Sequence, residues 1–370
     1  MALADGQELT LCTAGDLMLC DSPLRVGVGL GTAFESVQSR LFAPCLADFA
    51  AADLVIGNFE SVVHQPKRKS LAERQMSCSE DAVRLLRETG FDVVNIANNH
   101  CIQHGAAEFL HTRDVCRSHG IAAVGAHEDA PYITEVKGQR IVFISLSLLP
   151  EKYHPEEIAY EHDIEYAFRQ IEEYARPDDL LVVMIHWGNE FATYPYQKQV
   201  ALAHRFADSG ADLILGHHSH VFQGIEQYGN SLILYSQGNL AADMPQALCR
   251  ETGYVRITVT AENGQRRISY EMVPLQIRDD LTLEKSSGSW FEERQKQLRE
   301  VLDGKVSEKD YFRMVDSNHA KCSAEFQKRF KADLRRYPLR ISASMVLEAV
   351  MRKIRKTKRS DQFATARKGS

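Results

Sequence analysis

The feature that most constrains this chain is a recurring pattern in which a short apolar run ends in acidic, amide or imidazole side chains. The polar ends are Gly15-Asp16, Asn58-Phe59-Glu60, Asn98-Asn99-His100, His186-Trp187-Gly188 and Gly216-His217-His218-Ser219-His220. Each apolar run has the length and composition of a buried strand. Because the C-terminal ends of strands in an α/β sheet share one edge, where ligands collect, the pattern predicts that these residues converge on one site.

The apolar runs alternate with helical segments, and this alternation predicts the fold class. Helical spacing occurs over residues 79–89, 107–119 and 196–209, and each of these segments is directly followed by a glycine. Strands that alternate with helices indicate an α/β protein. The strand-rich stretch over residues 231–275 indicates an antiparallel edge or a second sheet.

The residue types at the strand ends suit a divalent metal of intermediate hardness. Carboxylate and amide oxygens together with imidazole nitrogens favour ions such as Mn, Fe or Zn. Each motif alone has an ordinary structural explanation, since an Asp after Gly is commonly a turn residue and Asn-Asn-His commonly hydrogen-bonds its own backbone. The histidine-rich fifth segment is more specific, because two imidazoles two residues apart can face one ion. The conjunction of five such strand ends favours a metal site.

Composition excludes several classes of function. The chain has 370 residues and a net charge of -6, without the basic excess of a nucleic-acid-binding protein. No run approaches the roughly 18 apolar residues of a membrane span, and the first residues lack the regions of a secretory signal. The eight cysteines form no CxxC pair and suggest no disulfide framework. We therefore expect a reduced, cytoplasmic protein.

The character of the sequence changes towards the C-terminus. Charged helical patterns cover residues 290–302, 311–330 and 343–354. The expected divisions are a core domain over 1–278, a helical extension over 279–351 and a basic, flexible tail over 352–370. We expect the extension to lie outside the catalytic sheet, either as a cover over the site or as a contact in an oligomer.

Seven segments together resemble the CapA family. They are 15–19 (GDLML), 57–60 (GNFE), 97–100 (ANNH), 186–191 (HWGNEF), 195–199 (PYQKQ), 210–221 (GADLILGHHSHV) and 235–239 (YSQGN). CapA proteins take part in poly-γ-glutamate capsule biosynthesis and belong to the calcineurin-like metallophosphoesterase superfamily. The resemblance covers about residues 8 to 275. It implies an α/β fold, a four-layer α/β/β/α sandwich of the metallophosphoesterase type with a metal site at one edge, followed here by the C-terminal helical extension.

The resemblance also implies a role for each matched residue. One metal would be bound by Glu60, Asn99, His186 and His218. A second, weaker site would consist of Asp16, Glu60 and His220. The implied catalytic residues are Asp16, His100 and His220, and the implied substrate contacts are Trp187, Glu190 and Asn239.

Two departures affect these roles, one from the wider superfamily, which CapA proteins generally share, and one from the CapA pattern. The wider superfamily begins this site with Asp-x-His, whereas this chain has Met18 in the place of the histidine. A thioether is a poor ligand for hard or borderline ions, so we expect one tightly bound divalent ion (Mn, Fe, Zn or Ca) rather than two. CapA proteins commonly have Asp where this chain has Gln103, which leaves the role of that position open.

Three functions are compatible with these residues. The first is a metal-dependent hydrolase of a peptide-like, γ-glutamyl or phosphoester substrate, in which His100 protonates the leaving group or stabilises developing charge. The second is a metal-dependent peptide epimerase in which Asp16 and His220, freed from ligation, act as an acid–base pair. The third is a non-catalytic capsule-biosynthesis protein. Deuterium incorporation at Cα without bond cleavage would distinguish the second from the first.

Overall fold

A computed structural model of the chain describes residues 3–343, apart from residues 5, 24, 65–70, 263–264, 334, 338–340 and 342. The tail expected over residues 352–370 lies outside the described residues. So does nearly all of the helix expected over residues 343–354.

The elements are numbered in chain order within the described residues. The strands are β1 (Glu8–Leu17), β2 (Leu54–Phe59), β3 (Val62–Val63), β4 (Ser77–Cys78), β5 (Val93–Asn95), β6 (Ala122–Val124), β7 (Tyr132–Val136), β8 (Gln139–Ser147), β9 (Leu180–His186), β10 (Leu213–His217), β11 (Ile225–Tyr228), β12 (Ser231–Leu234), β13 (Asn239–Ala241), β14 (Glu251–Glu262), β15 (Gln265–Ile277) and β16 (Leu283–Lys285). The helices are α1 (Leu30–Leu41), α2 (Leu46–Ala51), α3 (Leu71–Arg74), α4 (Glu80–Thr89), α5 (Ala106–Ser118), α6 (Ile164–Tyr174), α7 (Gln197–Asp208), α8 (Ala247–Arg250), α9 (Ser289–Leu302) and α10 (Glu308–Asp333).

Most of the strands belong to two large sheets. The first sheet has the order β16-β15-β14-β1-β2-β5-β6, with β13 also paired to β1, and the second has the order β11-β12-β10-β9-β8-β7. The strands β1, β2, β5 and β6 run parallel to one another. The strands β8, β9, β10 and β12 do the same in the second sheet. Within each parallel set, the C-terminal strand ends therefore lie at the same edge.

The two sheets pack face to face, and helices cover both outer faces. Leu11 and Ile56 of the first sheet share one apolar core with Phe143 and Met184 of the second. The helices α1, α4 and α5 pack on the outer face of the first sheet, and α6 and α7 pack on that of the second. This arrangement confirms the expected α/β class and the four-layer α/β/β/α sandwich. None of the described helices is both long and apolar enough to cross a membrane.

The residues after 278 are more closely joined to the sheets than we expected. Leu283 of β16 pairs with Ile277 of β15, so the segment begins as an edge strand of the first sheet. Trp290 and Phe291 of α9 pack into the core between the sheets. The expectation that this whole segment lies outside the sheet is therefore wrong. The strand β16 extends the first sheet, and apolar side chains of α9 pack into the core between the two sheets.

Candidate metal centre

The side chains that face the opposite sheet change from apolar to polar at the C-terminal ends of the central strands. In β9, Met184 lies in the core between the sheets and is followed two residues later by His186; in β10, Leu215 is followed in the same way by His217. Because side chains alternate along a strand, both imidazoles face the first sheet. Both are fully buried, so the core between the sheets becomes polar at this edge.

The first sheet brings Asp16 to the same space through an irregularity in β1. The pairing register between β1 and β2 shifts between Thr13 and Asp16, which changes the face on which the following side chains lie. Gly15 lies at this point, where a Cβ atom would come 2.1 Å from the carbonyl oxygen of Gly238. Only glycine permits so close an approach of the backbones. Gly15 of this motif is therefore needed for steric reasons, whereas Asp16 is a potential metal ligand.

Asp16, Glu60 and His220 form a compact group of potential ligands at this edge. One ligand atom of each lies within 4.8 Å of the other two, and His220 Nδ1 is 3.1 Å from Asp16 Oδ2. All three residues are buried, and both carboxylates have no exposed surface. These are the residues that we expected to form the weaker site, and their geometry gives no reason to rank them second.

A second group of potential ligands adjoins the first through Glu60. His186 Nε2 lies 2.9 Å from Asn99 Oδ1 and 3.9 Å from Glu60 Oε1. The rings of His186 and His218 are 4.9 Å apart between centroids. The structure thus brings together the four residues expected at the first metal, with Glu60 shared between the two groups.

The backbone of the histidine segment is held in an uncommon conformation. His218 has a φ angle of 97° and His220 has one of 57°, in the left-handed region that residues other than glycine rarely adopt. Such conformations cost about 1–3 kcal/mol each and concentrate at functional sites. The strain places both imidazoles at the cluster.

Several buried polar atoms of the site have no hydrogen-bond partner. They are Asp16 Oδ2, both carboxylate oxygens of Glu60, both ring nitrogens of His217 and His218 Nδ1. The ion-pair partners of Asp16 and Glu60 among the described residues are all imidazoles. Leaving a buried carboxylate without a compensating charge costs several kcal/mol. A divalent cation would satisfy these atoms, so the residues present fit the metal that the strand ends predict.

The electrostatics of the cluster also favour a cation. Burial, together with the neighbouring Asp16 carboxylate, raises the pKa of Glu60 well above its usual value. Burial alone would lower the pKa of His220, but the carboxylates of Glu60 and Asp16 raise it to about 10. Without a metal, protons therefore supply the positive charge that the carboxylates need. Metal binding would displace those protons.

His100 is oriented by Gln103, the position whose role the sequence left open. Its Nδ1 lies 2.7 Å from Gln103 Oε1, so the amide oxygen accepts the ring N–H and leaves Nε2 unprotonated. Nε2 lies 4.0 Å from Glu60 Oε1. Burial lowers the pKa of His100 to about 4. His100 is thus a neutral imidazole whose free nitrogen faces the cluster.

A cavity of about 350 Å³ lies beside the cluster. His100, Glu190 and His220 line one part of it, and residues of α10 line another. Glu190 forms no hydrogen bond or ion pair with any described residue. Burial would raise the pKa of Glu190, but the nearby imidazoles of His220, His218 and His100 hold it below its usual value. An ionised carboxylate therefore faces the cavity, and α10 covers the site.

Two of the expected substrate contacts lie elsewhere. The indole N–H of Trp187 donates to the carbonyl oxygen of Tyr235 at 2.9 Å, within the core that the second sheet forms with α6 and α7. Asn239 is fully buried, and its Oδ1 lies 2.9 Å from His220 Nδ1. Trp187 therefore has a packing role, and Asn239 orients an imidazole of the cluster. Neither contact tests the expected roles in substrate binding, which stay predictions.

Sequence reasoning assigned no individual role to three polar residues behind the cluster, although two of them belong to the polar strand ends. Asn58 donates to Asp16 Oδ1 at 2.8 Å, and Asn95 donates to Asn58 Oδ1 at 2.9 Å. His217 Nδ1 lies 3.5 Å from Asp16 Oδ1, and neither of its ring nitrogens has a hydrogen-bond partner. The two-residue period of the strands indicates that all three face the opposite sheet, because each lies two positions after an inward-facing apolar residue.

The sequence of this chain matches a protein family and is similar to several known proteins. A sequence model of the family described as bacterial capsule synthesis protein PGA_cap matches residues 10–244 of the chain. A capsule biosynthesis protein CapA from Bacillus anthracis is 28% identical over 294 residues, which cover 74% of this chain and 69% of that protein. A PGA biosynthesis protein CapA from Bacillus subtilis is 29% identical over 245 residues, which cover 62% of this chain and 63% of that protein.

One further sequence relative and one solved structure are also similar to this chain. A probable polyglutamine synthesis accessory protein from Mycobacterium tuberculosis is 26% identical over 315 residues, which cover 74% of this chain and 82% of that protein. Among solved structures, a 5'-nucleotidase from Candida albicans aligns with a TM-score of 0.41 and 11% identity, over 87% of this chain and 58% of that chain. The family match ends before β14, so α9 and α10 lie beyond it.

Proposed function

The chain belongs to the PGA_cap family of bacterial capsule synthesis proteins, and we propose that it is a metal-dependent hydrolase of a peptide-like, γ-glutamyl substrate. The observation that carries this proposal is the buried cluster of Asp16, Glu60 and His220, whose unpartnered oxygens lie beside a cavity. The names of the relatives from Bacillus and Mycobacterium refer to capsule, PGA or polyglutamine synthesis. These names support a polyglutamate-related substrate.

Some residues of the site would bind the metal, and His100 would transfer protons during the reaction. Asp16, Glu60 and His220 would hold a divalent ion together with Asn99, His186 and His218. Such an ion supplies an ionised water or a polarised carbonyl at neutral pH. Because Gln103 fixes its Nδ1–H, His100 presents a free Nε2 that can accept a proton from an attacking water and return it to the leaving group. His100 would therefore enter the reaction as a base and then protonate the leaving group, which is the role that the resemblance implies.

The charge of the cavity favours a peptide-like substrate over a phosphoester. The described residues that line it include no lysine or arginine, the side chains that usually bind phosphate oxygens. The ionised carboxylate of Glu190 faces the same space and would repel a phosphate. It can instead accept a hydrogen bond from an amide N–H or an ammonium group, so we assign substrate binding to Glu190.

The geometry gives the epimerase hypothesis less support. Asp16 Oδ2 and His220 Nδ1 lie 3.1 Å apart in direct contact. An acid and a base that exchange a proton on opposite faces of one carbon must lie on opposite sides of the substrate. Since these two side chains form a pair with each other, they do not provide that arrangement.

The proposal is tested with the full chain loaded with Mn²⁺ or Zn²⁺. Oligomers of γ-linked glutamate, α-linked glutamate and a phosphodiester are each incubated with it in deuterated water and followed by mass spectrometry. We expect cleavage of the γ-linked oligomer that requires metal and is lost in Glu60→Gln. The matched control is Glu156→Gln, which changes an exposed carboxylate of a separate acidic group.

Each other outcome selects a different function. Deuterium at Cα without cleavage would establish an epimerase, and hydrolysis of the phosphodiester alone would establish a phosphoesterase. Bound metal with no turnover of any of the three substrates would favour the non-catalytic capsule protein.

A further inference from the structure

Glu190 lies in a short turn whose flanking residues are both hydrogen-bonded to other parts of the protein. On one side, Asn189 donates to the hydroxyl of Tyr311 in α10 at 2.9 Å. On the other side, the backbone N–H of Phe191 donates to a carbonyl oxygen of the histidine segment at 2.8 Å, and its carbonyl oxygen accepts from Asn318 of α10 at 2.9 Å. The turn is therefore fixed between α10 and the segment that carries two of the imidazoles.

The backbone of this turn is strained next to Glu190. Phe191 has a φ angle of 62°, in the left-handed region where a bulky side chain is a rare exception. Such conformations persist only where the surrounding structure imposes them, and they concentrate at functional sites. The hydrogen bonds of Phe191 supply that constraint, so the position of the Glu190 side chain is set before any ligand binds.

The Glu190 carboxylate is open to the cavity beside the metal centre. The side chain is partly exposed and lines the cavity together with His100 and His220. Among the described residues that line it, Glu190 is the one acidic residue, and none is a lysine or arginine. The cavity volume of about 350 Å³ is near the lower end of the range of about 300–1,000 Å³ for small-molecule sites. The cavity therefore suits a small group of positive charge.

In a γ-linked glutamate chain, only one residue carries such a group. Every interior residue presents an α-carboxylate and a neutral amide, whereas the amino-terminal residue also has an α-ammonium group. An interior segment would bring carboxylates against Glu190 and be repelled, while the terminal ammonium would form a charge-assisted hydrogen bond with it. On the α10 side of the cavity, the exposed His319 and Ser323 carry N–H and O–H donors, which suit the α-carboxylate of the same terminal residue.

We propose that Glu190 binds the α-ammonium group of the amino-terminal residue, so that the chain is shortened one residue at a time from that end. The proposal rests on the hydrolase function proposed above and specifies which end of the substrate reacts. In each cycle, the oxygen of a water molecule adds to the γ-carbonyl carbon, the C–N bond breaks, and both protons of the water pass to the departing nitrogen. The products are free glutamate and a shorter chain with a new terminal ammonium.

Binding is tested by calorimetric titration of the full chain loaded with Mn²⁺. The probe is an isostere of γ-glutamyl-glutamate in which a methylene group replaces the scissile N–H, so that it cannot be hydrolysed. We expect the free amine to bind at least about tenfold more tightly than its N-acetyl derivative, because a charge-assisted hydrogen bond is lost on acetylation. An N,N-dimethyl derivative, which adds bulk but keeps the positive charge, should retain most of this advantage.

A pair of variants assigns the preference to Glu190. Glu190→Gln should keep Mn²⁺ but bind the free amine and the N-acetyl derivative equally. The matched control Glu88→Gln, which removes an exposed carboxylate of α4, should keep the preference. Equal binding or no binding of the two forms by the unmodified chain, or an unchanged preference in Glu190→Gln, overturns the proposal. If Glu190→Gln does not fold, the series of derivatives on the unmodified chain still decides the outcome.

The position of cleavage separates this proposal from the hydrolase function itself. A γ-linked pentamer with an isotope-labelled amino-terminal residue is followed over time by mass spectrometry. We expect labelled glutamate to appear first, and the N-acetyl pentamer to react at least about tenfold more slowly. Internal fragments as first products, or equal rates for the two pentamers, would overturn the amino-terminal assignment and leave the hydrolase function intact. If neither pentamer is cleaved, the hydrolase function fails, and binding of the isostere alone decides whether Glu190 recognises an ammonium group.

Discussion

Replacing Glu60 by Gln separates the metal role of this residue from a structural one. Asp16 and Glu60 have no exposed surface, and their ligand atoms lie within 4.8 Å. Two full charges at that separation repel by about 3.5 kcal/mol at an effective dielectric constant of about 20. In the metal-free protein, burial and Asp16 raise the pKa of Glu60, which favours its protonated form and reduces this repulsion.

The sign of the pH dependence follows from that raised pKa. A carboxyl group whose pKa is higher in the folded than in the unfolded state stabilises the fold below its usual pKa and loses this contribution as the pH rises through the folded value. Gln cannot ionise, so metal-free Glu60→Gln should escape this loss. We expect it to be at least as stable as the unmodified chain, with an advantage that grows with pH and is on the order of 3.5 kcal/mol.

Added metal should reverse the order of the two proteins. An ion at about 100 times its Kd stabilises the folded state by about 2.7 kcal/mol, which for a chain of this length raises Tm by about 3 to 4 °C. Glu60→Gln should gain less than about 1 °C, because Glu60 is the residue that both ligand groups share.

The assay is scanning calorimetry of chelator-treated protein at several pH values, with and without Mn²⁺ or Zn²⁺. Glu190→Gln is the matched control, since it removes a carboxylate from the cavity but leaves the cluster intact, and it should keep the metal-induced shift. If Glu60→Gln melts below the unmodified chain by the same amount with and without metal, Glu60 is a structural residue and the reasoning is wrong.

Three further predictions follow from the contacts of the site and of α10. His218→Ala should stay folded and lose metal, and full metal occupancy by elemental analysis would refute its role as a ligand. Gln103→Asp should raise the pKa of His100 from about 4, because a negative charge replaces a neutral amide at 2.7 Å; an unchanged imidazole titration by NMR would count against this contact. Asp333→Asn should remove the charged partner of the buried Arg25, destabilise the protein by about 3 kcal/mol and speed amide exchange in α10; unchanged exchange would show that the pair does not hold the helix.

The strand ends could be predicted from sequence because the information there is local. In β9 and β10 every residue is buried, so both faces are apolar and the first polar residues mark the end of the run. The helix α1 was also predictable, since Leu30, Phe34 and Val37 have helical spacing on one buried face, although our prediction omitted it.

The helix α10 was predicted from its spacing, but its position on the body and the orientation of His100 were not predictable in this way. The position of α10 depends on the ion pair of Arg25 with Asp333, two residues that lie 308 positions apart. Gln103 lies only three residues from His100, but its role depends on a turn that brings its amide oxygen to the ring. Spacing in the sequence identifies which residues are polar and buried, whereas their partners are set by how the two sheets and α10 pack.

The distribution of unsatisfied atoms distinguishes a ligand site from a merely polar core. Buried polar side chains are normally hydrogen-bonded, and Asn58 and Asn95 obey this rule by bonding to each other and to Asp16 or the backbone. A structural polar layer would extend that pattern to every member. Instead, neighbouring unpartnered atoms belong to Asp16, Glu60 and His218, in the same place where the backbone of the histidine segment is strained. The fold therefore carries a cost at this edge that its own side chains offset only by binding protons, which a bound cation would displace.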